Sequence, residues 1–266
     1  MVTLAAIFPP SQPPEQIGAV AAAADAVGLE QLWVWEDCFK ESGIATATAM
    51  LAATRRVTVG IGLLPVPLRN VALTAMEPAT LGRLFPGRLT AGVGHGVLDW
   101  MGQAGARAES PMTLLREYTA ALYALLHGET VTTRGRYVNL DDVTLAWPPA
   151  VVPPLLVGGI RPRTVSLAGE LADGVIIPGG VSPEEVRTSV GHLHGQRSAG
   201  QGPADVVVFI SAPACSPAAA VAATVSEYAA AGATHVAVNA DERDAGLERF
   251  VTLLAREVSP LVSAGG

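Results

Sequence analysis

Apolar residues along this chain fall in short continuous runs separated by longer stretches in which they recur with helical spacing. The short runs are Leu4–Phe8, Gln31–Trp35, Val57–Gly62, Leu89–Gly94, Leu155–Gly159, Gly174–Pro178, Val206–Ser211 and His235–Asn239. They lack polar alternation, so both faces of each must be covered, as in a parallel sheet packed on both sides. The longer stretches predict helices over Pro14–Val27, Ile44–Thr54, Val71–Leu84, Thr113–His127, Arg163–Leu171, Pro183–Gln196, Pro217–Ala231 and Ala245–Glu257. Ser182-Pro183-Glu184-Glu185 and Ser216-Pro217 carry helix-start chemistry, while Val27-Gly28 and Ala231-Gly232 stop a helix before the next strand. Eight strand–helix units predict one domain over residues 1–266, a (β/α)8 barrel of the TIM type; an open doubly wound sheet is the alternative and would fit fewer strands.

One stretch breaks the rhythm. Arg134-Gly135-Arg136-Tyr137-Val138-Asn139-Leu140, followed by Trp147-Pro148-Pro149 and Pro153-Pro154, reads as an extended excursion between the fourth helix and the fifth strand, because proline disfavours a central strand or helix there. Asp99-Trp100-Met101-Gly102 does not look like a helix opening at once after the fourth strand.

Composition narrows the partners. Half of the residues are hydrophobic, enough for a large core, but no uninterrupted apolar stretch reaches the ~18 residues that span a bilayer. A formal charge of −7 without a Lys/Arg cluster argues against a nucleic-acid surface and for a small-molecule ligand. Cys38 and Cys215 match no metal or redox spacing, which suits a reducing cytosol, and the chain is expected to be soluble and cytoplasmic.

In a barrel, functional side chains belong at the C-terminal ends of the strands. That rule selects Glu36, Asp37 and Cys38 after the second strand, Leu63-Leu64-Pro65 after the third, and His95-Gly96 after the fourth. It adds Gly158-Gly159, Pro178-Gly179-Gly180, Ser211, Asn239 and Asp241 after the later ones. Of the five histidines only His95 passes; His127, His192, His194 and His235 read as structural or solvated. The glycine pairs would let backbone N–H groups approach a flat ring or an anionic tail, with Arg161 and Arg163 near to hold phosphate or carboxylate. No Gly-x-Ser-x-Gly elbow is present, and no His or carboxylate group has metal-ligand spacing. Gly92-x-Gly94-x-Gly96 has the wrong spacing for a dinucleotide fingerprint.

Gln31–Asp37, Val57–Asn70 and Pro86–Gly96 together resemble the bacterial-luciferase-like superfamily, and more narrowly its F420-dependent oxidoreductases. Leu167–Val175 is similar to that family's segment entering the sixth strand, so the resemblance runs from the first strand to about Gly180. It implies a TIM-type barrel with the deazaflavin F420, or alternatively flavin mononucleotide (FMN), in its mouth. A bulge with a non-proline cis peptide after the third strand would press on the ring and maps near Gly62-Leu63-Leu64. The resemblance also puts His95 and Gly96 beside the ring, Gly158, Gly159, Gly179 and Gly180 at the ring edge or phosphate tail, and Glu36-Asp37 by the reactive carbon. Two departures matter: many relatives carry Asp-His where Glu36-Asp37 stands, and those acting on a sugar phosphate carry Glu in place of Val97.

The function expected from this is hydride transfer between the deazaflavin and a small organic substrate. His95 would bond ring or substrate, Glu36 or Asp37 would handle a proton, and Arg163 with the glycine loops would seat the coenzyme. An FMN-dependent monooxygenase is the alternative enzyme, and a non-catalytic F420- or flavin-binding protein the alternative of another class. Relatives commonly pair, and the apolar surplus permits a homodimer.

Overall fold

The computed structural model describes residues 2–213, 215–240 and 246–264. Its strands are β1 (Thr3–Phe8), β2 (Gln31–Val34), β3 (Thr58–Pro65), β4 (Leu89–Gly94), β5 (Val131–Arg134), β6 (Asn139–Val143), β7 (Leu155–Gly158), β8 (Gly174–Ile177), β9 (Asp205–Ala212) and β10 (His235–Ala240). All but β5 and β6 close a parallel barrel in the order β1-β10-β9-β8-β7-β4-β3-β2. The helices are α1 (Ile17–Val27), α2 (Gly43–Ala53), α3 (Val71–Leu84), α4 (Leu98–Gln103), α5 (Pro111–Leu126), α6 (Pro162–Leu171), α7 (Pro183–His194), α8 (Ala218–Ala230), α9 (Leu247–Leu253) and α10 (Ser259–Ala264). The barrel expectation therefore holds, including the continuous burial of β2, β7 and β8.

Two cores follow from this layering. The larger lies between the outer faces of the strands and the helices, and the smaller fills the barrel with Ala5, Ile7, Trp33, Leu156, Ile176 and Phe209 among others. Glycines in β3 and β4 make the inner packing fit: a Cβ on Gly60 would lie 2.5 Å from the Trp33 ring, and one on Gly92 would lie 2.4 Å from Ile176 Cδ1. The Trp33 ring meets Phe209 edge-on at 5.5 Å and donates its indole N–H to Gln31 Oε1 at 2.9 Å.

The excursion between α5 and β7 is a hairpin, β5–β6, rather than only extended chain. Its turn is held from outside: Glu117 on α5 accepts from the backbone N–H groups of Arg136, Tyr137 and Val138 at 2.9, 2.8 and 3.0 Å. Tyr137 Oη accepts from Ser110 N at 2.7 Å, tying the turn to the start of α5. A helix does open soon after β4, contrary to expectation: Val97 takes the extended N-cap position and α4 follows, burying Met101. The last predicted helix begins among residues 241–245, outside the described set; what is described is α9, a π-helical turn at Leu254–Val258, and α10.

Candidate active site

The C-terminal mouth of the barrel holds a cavity of about 500 Å³. Leu63, Ile176 and Phe209 contribute its apolar inner wall, and Trp35, Val97 and Trp100 close it on the β2–β4 side. Leu63 gets there through a bulge: β3 slips register against β4 between Ile61 and Leu64, and the Gly62–Leu63 peptide within it is cis. The Leu63 side chain then lies over two bare strand ends, where a Cβ on Gly94 or Gly158 would fall 2.6 or 2.1 Å from its Cδ2. Gly62 is bare for the same kind of reason, since a Cβ there would sit 2.6 Å from Phe209 Cζ.

Most of the expected site residues meet at this cavity. Glu36, Asp37, Gly62, Leu63, His95, Gly96, Gly158, Gly159 and Gly179 all line it. Three do not. Leu64 is buried on the other side of the strand, against the start of α2, because successive residues after the bulge point to opposite faces. Arg163 is exposed at the second position of α6, where the helical turn carries it away from the mouth; Arg161, the extended N-cap residue, lines the cavity instead. Gly180 is exposed in the turn after β8 with φ +82°, a conformation that favours glycine without any ligand. Gly158 and Gly159 leave room for neighbouring side chains, since a Cβ there would fall 2.1 Å from Leu63 Cδ2 and 2.6 Å from Thr164 Cγ2. Asp241 lies outside the described residues. Thr164, Ile176 and Phe209 also line the wall; Ile176 and Phe209 sit inside strands, where the sequence reads only as core.

The adjacent carboxylates are in different states. Glu36 Oε2 accepts from Arg69 Nη2 at 2.6 Å and from the Gly43 backbone N–H at the start of α2 at 2.7 Å. Arg69 also pairs with Glu77 at 3.3 Å, and burial pushes the Glu77 carboxyl up despite that cation. Glu36 is thus fixed as an anchor for α2. Asp37 carries no such lock: burial pushes its carboxyl up, and Lys40 draws it only partly back. Burial, then the charges of Glu36 and Asp37, push the Cys38 thiol up as well, so it is no ready thiolate.

His95 stands on the far side of the mouth, its Nε2 3.4 Å from Thr164 Oγ1. Its Nδ1 is buried and has no hydrogen-bond partner among the described residues. Burial first, and the Arg161 charge second, hold its pKa below the ordinary histidine value, so the ring is neutral near pH 7. The other histidines have structural settings: His127 Nδ1 lies 2.8 Å from Tyr123 O, and His235 Nδ1 lies 2.8 Å from Thr234 Oγ1 at the opposite rim. Chemically, the cavity offers an apolar inner wall, a neutral imidazole with an unmatched nitrogen, a cation at a helix start, and a carboxyl that holds its proton more tightly than usual.

Among curated proteins the chain is 29% identical over 202 residues to the 5,10-methylenetetrahydromethanopterin reductase of Methanolobus tindarius, covering 76% of this chain and 61% of that one. It is 31% identical over 185 residues to an F420-dependent glucose-6-phosphate dehydrogenase of Nakamurella multipartita, covering 64% of this chain and 54% of that one. These matches span less than two thirds of either relative's length. A solved F420-dependent secondary alcohol dehydrogenase in complex with an F420-acetone adduct superposes with a TM-score of 0.87 over 98% of this chain and 99% of its own, at 19% identity, a likeness of fold. Residues 2–258 match the model of the family described as luciferase-like monooxygenase, so the chain belongs to that family.

Proposed function

We propose that the chain is an oxidoreductase that uses coenzyme F420 to pass a hydride to or from a small organic substrate bound at the barrel mouth. The observation that carries this reading is the cavity itself: a ring-sized apolar surface over Leu63, with Arg161 and the start of α6 at one end and Asp37 at the other. These residues fit the group. Leu63 and Ile176 would support the ring, the buried unmatched Nδ1 of His95 would find a polar ring atom, and Arg161 would hold the anionic tail. The bound coenzyme supplies two-electron hydride chemistry that no side chain here can provide. The protein's part is to orient donor and acceptor, exclude water, and move one proton, which falls to Asp37 because Glu36 is committed to Arg69. The names of both curated relatives' activities or cofactors point the same way, and the family's description keeps an FMN-dependent monooxygenase as the second reading.

The test is an equilibrium titration of the purified apo-protein with F420 and with FMN, read by fluorescence and by the shift in Tm. Binding of F420 at micromolar or lower concentration, at least about tenfold tighter than FMN, is the expected outcome. Preference for FMN, with oxygen consumed by the reduced flavin, would replace the proposal with the monooxygenase; tight F420 binding with no turnover on any reductant would leave a carrier.

A homodimer belongs to the same proposal. Leu73, Met76 and Leu84 of α3 are 48%, 57% and 63% exposed, and Trp147, beside Met76 in one groove, is 71% exposed. A second copy would cover that apolar face. Light scattering is expected to give a dimer mass for the wild type and a monomer mass for Met76→Lys; a monomeric wild type removes the dimer.

A further inference from the structure

The charged groups of the cavity stand apart around the barrel mouth. Glu36 and Asp37 follow β2, Arg161 follows β7, and β3 and β4 run between them. Arg161 is the sole Lys or Arg on the described wall, and the start of the ten-residue α6 adds its partial positive charge at the same end. An anionic coenzyme tail would take that end. The space left for a substrate is bounded by Trp35, Pro65, Val97 and Trp100, and its formal charges are carboxylates. Lys40, the cation that acts on Asp37, is exposed and off the cavity wall. Arg69 is occupied by Glu36 and Glu77 behind the wall. A phosphate or carboxylate placed here would find no cation on the described wall to offset its desolvation.

We propose, resting on the coenzyme reading above, that the substrate of this site is an uncharged, predominantly apolar molecule held between Trp35 and Trp100, and that a wall around Val97 without Lys or Arg among its described residues disfavours phosphorylated or carboxylated ones. This sets the chain apart from its relative named for glucose 6-phosphate. Val97 is the point where specificity could be reversed, because it is 46% exposed at the N-cap of α4 and a longer side chain has room there.

The test uses protein with 15N-labelled tryptophan and F420 bound, titrated with two ketones of matched shape, 4-methylacetophenone and 4-acetylbenzoate, and with glucose 6-phosphate. The neutral ketone should shift the indole signals of Trp35 and Trp100, leave the remote Trp147 signal in place, and bind at least about tenfold tighter than 4-acetylbenzoate. Glucose 6-phosphate should leave both indoles unmoved. Val97→Lys should narrow or invert the ratio between the two ketones. Binding of 4-acetylbenzoate equal to or tighter than that of the neutral ketone, or failure of the neutral ketone to move either indole, overturns the inference. If F420 itself does not bind, the coenzyme reading falls on its own, and the same pair of ketones titrated into the protein alone still reads the charge preference at the two indoles.

Discussion

Two adjacent acids, Glu36 and Asp37, show how much a single position in the fold decides. Both leave the same strand end, and nothing in the sequence separates them. The structure gives Glu36 an arginine and a helix N–H and leaves Asp37 with a carboxyl raised by burial. A carboxyl of that kind serves as a proton donor below its pKa and stops doing so above it. In the direction of substrate reduction, kcat/KM should fall as pH rises through the Asp37 pKa, which burial holds above the ordinary aspartate value. Asp37→Asn should lower turnover by about 100-fold or more and flatten that limb of the profile; a variant with wild-type turnover and the same limb would move the proton to another group. His95 was legible because it is the one histidine at a strand's C-terminal end, while Arg161 and Arg163 could not be told apart. Two residues separate them, and only the direction of the first turn of α6 decides which faces the mouth. Phe209 was illegible for a different reason: its role comes from packing across the barrel onto Trp33, Trp35 and the bare Gly62, a relation between strands far apart in sequence.

At the level of elements, the barrel strands were readable because continuous apolar runs carry their own signal, and the two pieces the pattern did not spell out, a helix after β4 and the pairing within the excursion, have local causes. The short α4 is too brief to show a helical period, and its N-cap is a valine rather than a residue that announces a helix start. The β5–β6 hairpin alternates weakly in burial, and its turn is set less by its own residues than by Glu117 on α5. Burial works against ionisation of Glu117, but the three N–H donors outweigh it and hold its pKa below the ordinary glutamate value. Glu117→Ala should cost about 2 kcal/mol, the scale of hydrogen bonds to a charged acceptor, and should speed amide exchange at Arg136, Tyr137 and Val138 while the barrel strands stay protected. Because the folded pKa is depressed, this stabilisation is present above the ordinary glutamate pKa and fades as pH falls through the folded value. Unchanged exchange at the turn would mean that the hairpin's own pairing suffices to hold it.

Across the whole molecule the two rims of the barrel divide the labour. Asp37, His95 and Arg161 stand at the C-terminal rim, whereas Asp25, near the end of α1, closes the other by accepting from the backbone N–H groups of Arg55, Arg56 and Val57 at 3.3, 2.7 and 2.9 Å. Burial raises the Asp25 pKa less than those donors lower it, so its folded value lies below the ordinary one and its stabilisation disappears as pH falls through that value. The half-buried His95 and His235 act earlier. Their folded pKa values are lowered, so the unfolded chain takes up protons first, and stability drops as pH falls below the ordinary histidine value of 6.5. Acid unfolding should therefore proceed with a first loss just below pH 6.5 and a second, carboxylate-driven loss well into acid. Asp25→Asn should diminish the second loss, lower the urea midpoint at neutral pH, and leave coenzyme affinity unchanged, because the substitution is confined to the rim opposite the cavity that His95, Asp37 and Arg161 line. A variant that lost coenzyme binding in step with stability would show that the rims are coupled through the barrel rather than independent, and the separation of chemistry from folding argued from the strand ends would fail with it.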